Sequence, residues 1–264
     1  MVPSLSLCLV LFLALPFVSA SLLEESVLHR RQPYTYFANA AGCQPSTTRN
    51  WTCGPPCEGN PDFKPIASGG NGDSVHQPIF TDIDIILSNL DSNLFPGLSS
   101  DIEVHSGFKE SQARAAADVL SNVTIAMSTY STNSVAVVGH SLGGALALLD
   151  GVYLDLQLPS ATVSVFSYGM PRVGNQAFAD YVDANVNVTH VNNKYVPPPF
   201  FGYHHCSGEK HITDSDEWVD CPGQDNPDKQ CTVGEVGNIF EVHLKDLRDH
   251  FGPYDGIWMQ GCVE

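Results

Sequence analysis

The chain has 264 residues, 43% of them hydrophobic, which is enough apolar surface for one domain with a sizeable core. Its formal net charge of −17 comes from acids scattered along the chain rather than grouped in runs. Such a surface repels phosphate backbones and argues against a nucleic-acid partner.

Residues 5–18 form an apolar run too short to span a bilayer, and it ends in Val18-Ser19-Ala20, a small-residue cleavage pattern. Residues 1–20 therefore read as the signal peptide of a secreted, extracellular protein, although no basic segment precedes the apolar run. Arg30-Arg31 reads either as a dibasic processing site, making residues 21–31 a short propeptide, or as two solvated arginines in a terminus. No later segment has the length and apolarity to cross a membrane, so residues 32–264 are expected to form one monomeric domain that is not integral to a membrane.

Beyond Cys8 the chain holds Cys43, Cys53, Cys57, Cys206, Cys221, Cys231 and Cys262, which in a secreted protein read as a disulfide framework. Short loops point to Cys53–Cys57 and Cys221–Cys231, while Cys43–Cys262 would tie the two ends of the domain together. Cys206 is left over, as a buried inert thiol, a reactive thiol or the site of an intermolecular bond. No pair of C-x-x-C motifs occurs, so no metal is expected. Asn50-Trp51-Thr52, Asn122-Val123-Thr124 and Asn187-Val188-Thr189 are N-glycosylation sequons.

In chain order, a short helix is expected from Tyr34, followed by loop stapled with cysteines. Ile83, Ile86, Leu87, Leu90 and Leu94 fall at helical spacing and predict an amphipathic helix, either packed on a sheet or forming part of a lid. A second helix is expected over residues 108–127, with His105 in a structural polar role at its entry. The β-branched run Val135-Ala136-Val137-Val138 leads into Gly139-His140-Ser141-Leu142-Gly143-Gly144, and an Ala/Leu helical pattern leads out. This is the strand–turn–helix setting of a G-x-S-x-G nucleophile elbow. Its glycines remove side chains where strand and helix approach, Ser141 is the nucleophile candidate, and the Leu142 backbone N–H is the oxyanion donor candidate. His140 and Gly143 are expected to shape the turn. Strands over residues 161–168 and 186–191, with a helix over 175–184 between them, complete an alternating α/β pattern. Such a pattern implies a mostly parallel sheet with helices on both faces.

The chain at this point resembles the secreted fungal class 3 lipases. The resemblance is carried by Val104-His105-Ser106-Gly107-Phe108, the elbow, Tyr168-Gly169-Met170-Pro171-Arg172-Val173-Gly174-Asn175, Phe178-Ala179-Asp180-Tyr181-Val182, and Asp249-His250-Phe251-Gly252-Pro253-Tyr254-Asp255-Gly256. The stretch from Gly202-Tyr203-His204-His205 to Cys221-Pro222-Gly223-Gln224-Asp225-Asn226 resembles a mono- and diacylglycerol lipase-like branch. The resemblance implies an α/β-hydrolase fold and a Ser–Asp–His triad without a cofactor. In it Ser141 attacks an ester, and His250, with His243 its nearest rival, serves as general base and then acid. The substrate would be an acylglycerol or another ester, met through transient contact with a lipid–water interface.

Two pieces of the family pattern are missing. Residues 69–83 lack the apolar strand and Gly-Thr that supply a second oxyanion donor; His76-Gln77 remains from that region. No aspartate occurs between Asp183 and Asp214, so the triad acid is not found at its expected place after Lys194. Asn193 is the nearest polar residue there, Asp214 and Asp216 are spatial substitutes without support from spacing, and Asp249 adjoins His250. Loss of the triad carboxylate costs about 10⁴ in turnover, and loss of one oxyanion donor about 10²–10³. The gaps read either as skipped coding sequence in a truncated gene or as a catalytically silent lipase-fold protein retained for binding.

Overall fold

In a computed structural model of the chain, residues 25–69, 86–193, 202–235 and 246–262 are described. The elements are α1 (Glu25–Ala40), α2 (Pro45–Arg49), α3 (Pro55–Glu58), β1 (Leu87–Asn89), β2 (Glu103–His105), α4 (Ser106–Tyr130), β3 (Ser134–His140), α5 (Leu142–Gln157) and β4 (Thr162–Tyr168). They continue with β5 (Gly174–Asn175), α6 (Gln176–Asn185), β6 (Asn187–Asn193), β7 (Tyr203–His204), β8 (Glu209–Ile212), β9 (Trp218–Cys221), α7 (Thr232–Glu235) and α8 (Asp246–Asp249).

Two sheets result. The larger has the order β3-β4-β6-β8-β9, with β3, β4, β6 and β8 parallel and β9 returning antiparallel. The smaller, β1-β2-β5-β7, is antiparallel. Parallel strands need covering on both faces, which is why β3 is an almost unbroken apolar run with six of its seven residues buried. On one face lies α5, buried from Gly144 to Leu154. Its Leu146, Leu149 and Leu154 are at most 1% exposed, each worth about 2–3 kcal/mol of burial. On the other face Phe37 of α1 joins Val138, Tyr168 and Tyr254 in a second apolar cluster. This is the α/β architecture, with helices on both faces, that the alternating pattern implies.

The helix expected over residues 83–94 is not formed where the structure describes it. Leu87–Asn89 instead pair antiparallel with Glu103–His105, and Asp91 closes a turn through its Oδ1, which accepts the Asn93 N–H at 2.8 Å. Non-local pairing overrides the helical spacing; Ile83 lies outside the described residues. The helix α4 does form and begins at Ser106. His105 caps it, its Nδ1 accepting the N–H groups of Gly107 and Phe108 at 3.1 and 3.4 Å.

Three disulfides join Cys43 to Cys262, Cys53 to Cys57 and Cys221 to Cys231. The first ties α1 to the C-terminal segment across a separation of 219 residues. Cys206 is free and buried. Burial pushes its thiol up to about 12, which suits a buried inert thiol. Among the described residues no helix is long and apolar enough to cross a membrane.

Candidate active site

The parallel strands end in register. His140 of β3 pairs with Tyr168 of β4, and Tyr168 pairs with Val191 of β6, so residues 141, 169 and 193 fall along one edge of the sheet. That carboxyl edge is where open parallel sheets place reactive groups.

Ser141 sits between β3 and α5 at φ 56 and ψ −125, a backbone conformation that non-glycine residues rarely adopt. Two contacts hold it there. Its N–H donates to the Tyr168 carbonyl at 2.8 Å, and its own carbonyl accepts from Gly144 at 2.9 Å. The elbow is tight enough that a Cβ on Gly139 would lie 2.1 Å from the Gly143 carbonyl oxygen, so glycine is required. Leu142 opens α5, where its N–H has no partner one turn back in the helix.

His250 comes from the opposite end of the chain. Its Nε2 lies 2.8 Å from Ser141 Oγ, with both side chains buried. The His250 carbonyl accepts from His140 Nε2 at 2.8 Å and from the Tyr254 hydroxyl at 3.1 Å. Beneath the imidazole lies Gly169, at φ 56. A Cβ on it would lie 2.9 Å from His250 Cε1, His250 Nδ1 and Tyr254 Oη, so the backbone must be bare there. Tyr254 is fully buried against Tyr168, with ring centroids 5.4 Å apart. The Thr35 hydroxyl of α1 lies 3.0 Å from the Tyr168 hydroxyl and 2.8 Å from Asp255 Oδ2, which fastens the segment after His250 to the N-terminal helix.

Burial, then the neighbouring His140, lowers the His250 pKa to about 3. Burial likewise lowers His140 to about 4, partly offset by its bond to the His250 carbonyl. Both rings are therefore neutral across the ordinary pH range. No carboxylate among the described residues contributes to the His250 shift. Asn193, the polar residue nearest the expected place of the acid, ends β6, is 1% exposed and donates Nδ2 to the Pro253 carbonyl at 3.2 Å. Its Oδ1 is buried without a hydrogen-bond partner among the described residues. Asp214 and Asp216 lie in the exposed hairpin turn between β8 and β9, and Asp249 ends α8. His243, the region after Lys194 and the region of the second oxyanion donor, 70–85, lie outside the described residues. The elbow strand β3 is the edge of its sheet among the described residues.

The structure thus brings Ser141, His250 and the Leu142 backbone to one place, and sets Asp214 and Asp216 on the surface. Sequence reading missed Gly169 and Tyr254. Their residue types were visible within the Tyr168-Gly169-Met170-Pro171 and His250-Phe251-Gly252-Pro253-Tyr254 blocks, but only the fold shows that they meet at the imidazole.

The model of the lipase (class 3) family matches residues 69–197. A secreted mono- and diacylglycerol lipase of Fusarium solani is 36% identical over 155 residues, covering 53% of this chain and 45% of the relative. One from Malassezia globosa is 30% identical over 181 residues, covering 65% of this chain and 55% of the relative. The solved lipase of Rhizopus microsporus var. chinensis superposes with a TM-score of 0.72 and 25% identity over 91% of each chain. Residues 69–197, just under half of the chain, are thus similar to the class 3 lipase family. The fold of the chain is that of the α/β-hydrolases, as in the family's solved members. It spans about half the length of the curated relatives that it matches.

Proposed function

We propose that this chain is a class 3 lipase, a secreted serine carboxylic ester hydrolase that acts on mono-, di- or triacylglycerols through an acyl-enzyme on Ser141. The observation that carries the reading is the buried 2.8 Å contact between Ser141 Oγ and His250 Nε2 at an elbow with φ 56. In this reading the neutral imidazole takes the serine proton as Oγ attacks the ester carbonyl, and then hands it to the departing alcohol. The Leu142 N–H, at the start of α5, donates to the developing oxyanion. Water then enters and His250 repeats the cycle in reverse, releasing the fatty acid. No metal or organic cofactor takes part in these steps, and contact with a lipid–water interface is transient. Residues 1–20 are read as a leader, residues 21–31 as a short propeptide and residues 32–264 as the lipase domain. The relatives named as secreted lipases support the extracellular reading.

Turnover of a short-chain ester and of a diacylglycerol, compared between the protein and Ser141→Ala, tests this. Hydrolysis that disappears in the variant supports the reading, and equal hydrolysis in both rejects it.

Asn193 favours a second reading, a catalytically silent lipase-fold protein retained for binding. A neutral amide at the end of β6 does not stabilise imidazolium as a carboxylate does, and the lowered pKa of His250 makes the imidazolium costly. Soluble folded protein that hydrolyses neither ester, yet binds a diacylglycerol, would support this alternative.

A further inference from the structure

The nucleophile and its base lie on segments 109 residues apart, and the base precedes Gly252, whose φ of 118 sets a sharp bend in the chain. A hydrogen bond of 2.8 Å to Ser141 Oγ requires that the His250 backbone be held, not just its ring. The His250 carbonyl shows how. It accepts from His140 Nε2 at 2.8 Å and from the Tyr254 hydroxyl at 3.1 Å. His140 is the residue immediately before the nucleophile, so one hydrogen bond fastens the base directly to the elbow. Asn193 Nδ2 donates to the Pro253 carbonyl at 3.2 Å, which anchors the turn between His250 and Tyr254 to the end of β6.

We propose that His140 and Tyr254 are positioning residues of this active site, each donating a hydrogen bond to the His250 carbonyl that keeps the imidazole against Ser141. The inference rests on the serine-hydrolase reading and adds two residues to it. Three observations support it. A carbonyl can only accept, so the His140 Nε2 must carry the proton, which fixes one tautomer of a ring that is 8% exposed. The His140 and His250 rings lie 4.9 Å apart with Phe251 at 5.8 Å from His140, so packing as well as hydrogen bonding holds the arrangement. Tyr254 is completely buried, and its hydroxyl donates to the His250 carbonyl four residues earlier, which closes the turn that carries the base. Neither residue touches the reacting atoms. They act through His250, and a displacement of about 1 Å at a reacting pair costs on the order of 10² in rate.

The test uses the whole secreted chain and three variants. His140→Phe keeps a ring and removes the donor, His140→Gln restores an N–H donor, and Tyr254→Phe removes only the hydroxyl. The readouts are the rate at which a fluorophosphonate modifies Ser141 and the separate kcat and KM for a short-chain ester. The proposal predicts that His140→Phe and Tyr254→Phe slow phosphonylation and lower kcat by about 10- to 100-fold, with KM within about twofold of the parent. His140→Gln should recover part of that loss. Folded Phe variants that react at the parental rate overturn the proposal, as does a Gln variant no faster than His140→Phe. A parent protein that is not phosphonylated rejects the serine-hydrolase reading instead. The positioning contact is then judged by nitrogen NMR of the histidines: an Nε2–H tautomer of His140, coupled to the His250 carbonyl, supports it, and an Nδ1–H tautomer overturns it.

Discussion

Asn193 donates its Nδ2 proton to the carbonyl of Pro253, 3.2 Å away, and so ties the end of β6 to the turn that carries His250. The same residue is the polar one nearest the place, after Lys194, where the family pattern calls for the triad acid. A carboxylate there would favour the charged imidazole, whereas a buried amide leaves burial to hold the His250 pKa near 3. Asn193→Asp is therefore expected to raise kcat on a short-chain ester by at least about tenfold, a part of the ~10⁴ that a triad aspartate is worth. The acid limb of the pH–rate profile should move to higher pH at the same time. Measured kcat values for the two proteins across pH 4–9 check this; a lower kcat in a folded variant would count against it.

Gly169 gives a second prediction. A methyl group there would press on His250 Cε1, His250 Nδ1 and Tyr254 Oη at 2.9 Å, from a backbone with φ 56. Gly169→Ala should lower kcat by about 10²-fold, with a backbone strain cost of about 1–2 kcal/mol in stability. Parallel urea melts and kinetics separate the two effects.

The residues around these positions show how far the sequence could be read. Val135-Ala136-Val137-Val138 before Gly139-His140-Ser141 is a local pattern, and local chemistry requires the elbow that it forms. The pairs Cys53–Cys57 and Cys221–Cys231 span 4 and 10 residues, so loop length alone points to them. Leu87–Asn89 were not legible as a strand. Their partners Glu103–His105 lie some way along the chain, while the spacing of Ile86, Leu87, Leu90 and Leu94 imitates a helix. The roles of Gly169 and Tyr254 depend on three segments meeting, which no window of sequence contains.

Asp150 predicts a pH effect on stability. It lies buried in α5, with Oδ1 3.0 Å from Gln112 Nε2, and burial pushes its carboxyl up to about 7. The folded chain keeps a proton there that the unfolded chain loses above about 3.8, so this contribution to stability is present in acid and is lost as the pH rises through 7. The buried imidazoles of His140 and His250 act in the opposite direction. Lowered to about 4 and about 3 from 6.5, they remove stability as the pH falls below 6.5. Asp150→Asn leaves those imidazoles unchanged. It should match the parent near pH 4 and melt several degrees higher at pH 8, from at most about 4 kcal/mol of avoided charge burial. Calorimetry at the two pH values checks this, and equal melting temperatures at pH 8 would contradict it.

Cys206 is 3% exposed and its thiol is pushed up to about 12, so it should resist thiol reagents in the folded protein. Native protein prepared without residues 1–20 is expected to take up no label, and the same chain unfolded without reductant one equivalent. Labelling of the native state would place Cys206 at the surface.

The central claim is that Ser141 is an activated nucleophile, and intact-mass analysis after treatment with a fluorophosphonate tests it most directly. One adduct per chain, mapped to Ser141 and absent in Ser141→Ala, is the predicted result. Soluble, folded protein that gains no mass would contradict the claim and leave a lipase scaffold without a working nucleophile.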